Sequence, residues 1–169
     1  MTKSSLLAFA PVAAAVVIAG CGGTGYGGSA PSGGSTRPPT PASTKAASAT
    51  STVELASSKL GKILVDSRGR TLYLFAADKS TMSTCSGACA SLWPPLTVSG
   101  TPGAGTGVTA SLLGTSRRGD GTTEVTYAGH PLYYYAGDGA PGQTTGQDIS
   151  QFGAKWYVLT AGGMEITHG

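Results

Sequence analysis

The chain has 169 residues, a net charge of +3 at pH 7, 27 glycines, 10 prolines and three cysteines. That length holds one folded domain of ordinary size plus an extension. The excess positive charge sits at Lys3, Arg37 and Lys45, whereas residues 53–169 carry eight basic and eight acidic side chains, so neither nucleic acid nor an anionic surface is favoured as a partner.

In chain order, Lys3 and the nearly unbroken apolar run Leu6 to Ile18 predict an export signal over residues 1–20. The run falls short of the ~20 residues of a membrane span and contains Pro11, so a permanent span is the weaker reading. Ile18-Ala19-Gly20-Cys21 resembles the lipobox of bacterial lipoproteins. The resemblance implies that Cys21 becomes the diacylglycerol-modified first residue of the mature protein. At ~0.8 kcal/mol per buried CH₂, more than one acyl chain on Cys21 holds the chain at the extracytoplasmic face of a cell membrane. Between Cys21 and residue 52, all but Tyr26, Arg37 and Lys45 are Gly, Ser, Thr, Pro or Ala. Such a segment buries too little apolar surface to offset its ordering entropy, and is expected to be a disordered tether with an r.m.s. span of about 30 Å.

Residues 53–169 are expected to form a single all-β, mainly antiparallel domain. The runs KILVD, TLYLFA, EVTY, PLYYYA and WYVLT are rich in β-branched and aromatic residues, and DSRGR, RRGDGT and YAGH between them carry turn chemistry. No stretch sustains a helical period over three turns, which leaves at most one short helix near Cys85–Leu92.

A shift of sixty positions aligns Val65 with Val125, Gly69 with Gly129, Leu72 with Leu132, Tyr73 with Tyr133, Phe75 with Tyr135, Ala76 with Ala136 and Asp78 with Asp138. Trp93 and Leu96 recur as Trp156 and Leu159, three residues further displaced. The domain therefore reads as two related β units, about 61–98 and 121–160, packed on each other. Within each unit Tyr73 and Phe75 point to one side of a strand and Leu72 and Leu74 to the other, so the strand belongs in the interior. The preceding Gly suits the entering turn, and the Asp suits the capping of the leaving one.

The motif Y-x-[FWY]-x-x-D, present as Tyr73, Phe75, Asp78 and as Tyr133, Tyr135, Asp138, resembles that of bacterial predicted lipoproteins known as a secreted repeat of unknown function. The blocks CSGACASLWPPL, LLGTSRRGDGTTEVTYAGHPLYYYAGD and FGAKWYVL resemble that family as well, over most of residues 61–160. The resemblance implies architecture and location rather than an activity. After Gly146 it implies a further glycine nearby, where this chain has Gln147-Asp148.

Cys85 and Cys89 are expected to form a disulfide, since outside the cytoplasm a separation of four meets the Cα spacing of a bridge if the segment makes one turn. The alternative is a copper(I) or thiol-redox pair, with Met82 as a further soft ligand; the only histidines, His130 and His168, lie far from the pair in sequence. Asp78 and Asp138 are turn caps or, less commonly for such residues, a carboxylate pair for a cation or for catalysis. His130 occupies the place of Arg70 in the first unit, as a solvated turn residue would. Arg118-Gly119-Asp120 spells an adhesion tripeptide, but within a hairpin turn. Familiar hydrolase, zincin and phosphate-loop motifs are absent.

These features lead to the expectation of a membrane-anchored, non-enzymatic envelope lipoprotein without a cofactor. Its partners are the membrane, through Cys21, and an envelope protein or wall component. The alternative is a copper-binding or thiol-redox accessory protein using Cys85 and Cys89.

Overall fold

The structure, a computed structural model, describes residues 51–167. The expected signal, Cys21, nearly all of the expected tether, and His168 lie outside the described residues.

Each half begins with a hairpin. Strands β1 (Thr52–Ser58) and β2 (Gly61–Asp66) pair antiparallel with Leu55 opposite Leu64. In the second half β5 (Leu113–Arg117) and β6 (Thr123–Tyr127) do the same, with Thr115 opposite Val125. The chain then turns back into the repeated aromatic phrase, with Leu72 N donating to Leu64 O and Leu132 N to Val125 O. Leu64 is therefore the counterpart of Val125, and the expected match of Val65 with Val125 is corrected by one residue. The cause is turn length. The first turn, closed by Asp66 N donating to Arg70 O, holds three residues; the second, where Tyr127 faces His130, holds only Ala128 and Gly129. Both of the latter have positive φ (49° and 86°), as the tightest hairpin turn requires.

The two copies of the phrase meet each other. Strand β3 (Tyr73–Phe75) crosses the extended chain that follows β7 (His130–Pro131), with Tyr73 N to Tyr133 O at 2.8 Å and Tyr133 N to Tyr73 O at 2.9 Å. Equivalent residues pair with each other, so a pseudo-twofold axis passes between them.

Around that axis the halves exchange their tryptophan segments. After the short helix α1 (Ala88–Leu92), the segment from Trp93 runs along the phrase of the second half, with Leu96 N to Leu132 O and Tyr134 N to Pro94 O, both 2.8 Å. Strand β9 (Ala154–Val158), which closes the second half, pairs with β3 of the first, with Phe75 opposite Trp156. The edges are finished by β4 (Gly103–Ala104), parallel to β1, and by β8 (Ser150–Gln151), antiparallel to β9. The result is three three-stranded sheets joined through the central bridge.

Strand alternation divides the apolar residues into two cores. Leu72, Leu74 and Leu132 pack with Leu64, Val125 and Leu159, while Tyr73, Phe75 and Tyr133 pack on the other side with Trp93, Trp156 and the cysteine pair. At ~1.5–3 kcal/mol for each fully buried large apolar side chain, both faces contribute to stability. One extended phrase serves both cores because it lies between them.

The second core is built on a column of rings. Trp93 and Trp156 stack at 4.0 Å between centroids and 4° between planes. Phe75 covers Trp156 at 4.1 Å, and its counterpart Tyr135 covers Trp93 at 4.3 Å. Tyr73 and Tyr133 meet Trp93 and Trp156 edge-on, at 5.4 and 5.2 Å. Gly146 is required beside this column, since a Cβ there would come within 2.8 Å of the Trp93 ring. Trp156→Ala is expected to cost about 3–5 kcal/mol of unfolding free energy in urea titrations; a loss below ~1 kcal/mol would show that the column contributes little.

Candidate functional site

The tyrosines and aspartates of the motif bond across the halves. Tyr73 OH donates to Asp138 Oδ2 and Tyr133 OH to Asp78 Oδ2, each at 2.6 Å. A turn closed by Asp78 N to Phe75 O, and its counterpart closed by Asp138 N to Tyr135 O, places each carboxylate just past the end of its strand. The remaining oxygen then caps the following loop: Asp78 Oδ1 accepts from Thr84 N and Oγ1, and Asp138 Oδ1 from Thr145 N and Oγ1. Turn capping is therefore the role these residues show. Each carboxylate accepts from its own loop threonine and from the tyrosine of the other half.

Burial raises the pKa of both tyrosines far above the ordinary phenol range, and the facing Asp138 for Tyr73, and Glu124 and Asp78 for Tyr133, add to this. They remain protonated donors at neutral pH. Among the described residues no group of three or more His, Cys, Asp and Glu side chains is placed to hold a metal ion.

Cys85 and Cys89 are bonded to each other, with Cα atoms 5.3 Å apart and exposures of 1% and 6%. The turn that enters helix α1, closed by Cys89 N donating to Ser86 O, brings them together. The bridge closes a small ring, stabilising by about 2 kcal/mol in the loop-entropy model, and in this bonded form offers no thiolate to a copper ion.

One feature of this core escapes the motif. Arg118, 7% exposed, donates from Nη1 to Glu124 Oε2 and to Ser83 Oγ, each at 2.7 Å, and from Nη2 to Cys85 O at 2.6 Å. It ties the β5–β6 hairpin to the disulfide loop, and the adhesion tripeptide has its arginine inside the protein. Glu124 is fully buried, with Oε1 unpartnered. Burial pushes its carboxyl up to about 7 despite the opposing Arg118 guanidinium. Its counterpart in the first half is Ile63, so only one half carries the charge. The strand-like run EVTY announced a strand; nothing local announced that its Glu faces inward.

Two clefts flank the axis at equivalent positions. The larger, about 850 Å³, is lined by Leu74, Phe75, Ala76, Asp78, His130 and Tyr157, among others. The smaller, about 180 Å³, is lined by their counterparts Tyr134, Tyr135, Ala136, Asp138, Arg70 and Pro94. Here the chain fills part of its own cleft: the Arg70 guanidinium, on a half-exposed side chain, lies 3.9 Å from the Tyr134 ring centroid and bonds Asp66, whose Oδ2 also accepts from Tyr134 OH at 3.0 Å. In the larger cleft Leu74 stands where Tyr134 does, and His130 where Arg70 does. His130, expected to be a solvated turn residue, is half-buried in the cleft wall.

Tyr133→Phe leaves Asp78 without its buried donor and is expected to cost about 1.5–3 kcal/mol in urea titration, the range of bonds to charged groups; Tyr73→Phe, acting on the more exposed Asp138, is expected to cost less. Glu124 generates a pH dependence. An unfolded Glu ionises near its ordinary value of 4.5 while the folded one holds its proton to about 7, so stability falls as pH rises between those values. Urea midpoints from pH 5 to 7 should therefore decline in the wild type and flatten in Glu124→Gln, whatever the variant's absolute stability; equal slopes would contradict the raised value.

No curated protein and no solved structure matches this chain. A family described as a secreted repeat of unknown function matches twice, at residues 54–97 and 114–160. Each matched repeat begins one strand earlier than the aromatic phrase suggests, taking in β1 and β5, and ends with a tryptophan segment. The two matches together span more than half of the chain, which therefore belongs to this family of secreted repeat proteins.

Proposed function

We propose that the chain is a lipid-anchored, non-enzymatic binding module at the extracytoplasmic face of the cell membrane, with the open cleft as the surface it presents. Cys21 carries the anchor, and residues 22–52 hold the folded part away from the bilayer. One observation carries the reading: the motif groups capable of chemistry are committed to one another. Tyr73, Tyr133, Asp78 and Asp138 bond across the repeats, and Cys85 is bonded to Cys89. That leaves recognition by the surface, and the clefts at the two ends of the exchanged pair differ in how much of each the chain's own side chains occupy.

The anchoring half of the proposal is tested in a bacterium that processes lipoproteins. Wild-type chain fed with labelled palmitate is expected to carry the label and to partition with membranes; Cys21→Ser is expected to lose the label and to appear in the soluble exported fraction. A wild-type protein that is unlabelled and soluble would overturn the anchor.

A further inference from the structure

The two clefts form an internal comparison that the duplicated fold provides. Both are walled by equivalent segments: the aromatic phrase of one half, the tryptophan segment exchanged from the other, and a hairpin tip, which is one residue longer in the first half. The filled cleft shows what such walls accept. Its plug is a flat group, the Arg70 guanidinium, lying against the Tyr134 ring and bonding polar partners at its edge.

In the open cleft the aromatic side chain has moved across the strand pair. Tyr134 and Pro94 are cross-strand neighbours in the filled cleft; their counterparts in the open one are Leu74 and Tyr157, paired in β3 and β9. The open cleft thus keeps an aromatic residue and loses the plug. The plug's carboxylate anchor is gone as well, because the turn residue corresponding to Asp66 is Tyr127.

New polar groups stand at the rim. Lys155 takes the place of Leu92, Lys79 that of Gly139, and Glu165 comes from the C-terminal segment. Lys155 bonds Asp148 at 2.7 Å and Lys79 bonds Ala76 O at 2.7 Å, which leaves each ammonium further N–H donors. Asp78 is already filled by Thr84 and Tyr133. The two lysines are balanced by Asp78 and Glu165, so the cleft offers donors and acceptors with no net charge. A polyanion gains nothing from such a lining. A ligand with an apolar face and a rim of hydroxyls satisfies all of it, and the cleft's volume is within the range of small-molecule sites.

We propose that the open cleft between the Leu74–Ala76 stretch, the β6–β7 hairpin tip and Tyr157 is a saccharide-binding site, the unplugged counterpart of the cleft that Arg70 and Tyr134 fill. A sugar ring lies against Tyr157 where the guanidinium lies against Tyr134, and Lys79, His130, Lys155 and Glu165 bond its hydroxyls. The inference rests on the binding-module reading and gives that module its ligand class.

The test is a titration of the full ¹⁵N-labelled chain with chitotriose, maltotriose and inorganic phosphate, followed by backbone amide shifts. At least one neutral trisaccharide is expected to give saturable shifts confined to residues 79–81, 128–130 and 155–157, with little dependence on salt. Two variants keep the result interpretable. Leu74→Tyr with His130→Arg restores the ring and the guanidinium of the plug without its carboxylate, and is expected to weaken binding at least ~tenfold. Lys155→Ala, at a half-exposed side chain whose loss leaves the core intact, is expected to weaken it several-fold; near-UV circular dichroism of the tryptophan column verifies that both are folded. Shifts absent with both sugars, reproduced by phosphate, or unchanged in the folded plug variant would overturn the proposal. If the sugar binds and is recovered cleaved, the site stands and the non-enzymatic reading falls. If it does not bind, the site falls and the anchored-module reading stands.

Discussion

Everything in this domain depends on the antiparallel pairing of Tyr73 with Tyr133. Two backbone hydrogen bonds between equivalent residues fix the pseudo-twofold axis. Once the phrases run antiparallel, each tryptophan segment has a vacant edge only on the other half's phrase. Trp93 and Trp156 then meet on the axis, and each tyrosine hydroxyl meets the opposite aspartate. The motif spacing follows from this. Tyr must lie at the crossing, the next aromatic must cover a tryptophan, and Asp must fall just beyond the strand, in the turn.

A structure built this way concentrates its stability at the centre and leaves its ends free to differ. The disulfide and the Arg118–Glu124 pair occur in only one half of the second core, where they tie a loop and a hairpin together. A buried ion pair is weak support for stability, because desolvation offsets its attraction, and the raised Glu124 carboxyl shows desolvation to be the larger effect here. The clefts diverge similarly: in one a guanidinium lies on a ring and bonds Asp66, and in the other His130, Leu74 and Tyr127 stand in the places of Arg70, Tyr134 and Asp66.

Much of this was legible in the sequence. Tyr73 and Leu74 announced a strand with two apolar faces, and two cores receive them. Cys85 and Cys89 announced a one-turn bridge, and the turn entering α1 provides it. Near the place where a glycine is expected after Gly146, Asp148 adopts a positive φ of 59°, a conformation that favours glycine. Other features depend on partners distant in sequence. β1 and β5 are rich in Ala, Ser, Thr and Gly, and are strands because β2 and β6 pair with them. The exchange of tryptophan segments leaves no local mark, since Trp93 pairs equally well in pattern with either phrase. The inward direction of Glu124 follows only from the one-residue difference between the two turns, which a shift of sixty conceals.

The central claim, that neither repeat is a complete fold until it receives the other's tryptophan segment, is tested most directly by dividing the chain. Fragments 51–109 and 110–167, expressed separately, are each expected to lack cooperative unfolding and near-UV tryptophan dichroism. Mixed, they are expected to form a 1:1 complex that regains both. A first fragment that unfolds cooperatively as a monomer, with its tryptophan already buried, would contradict the exchange.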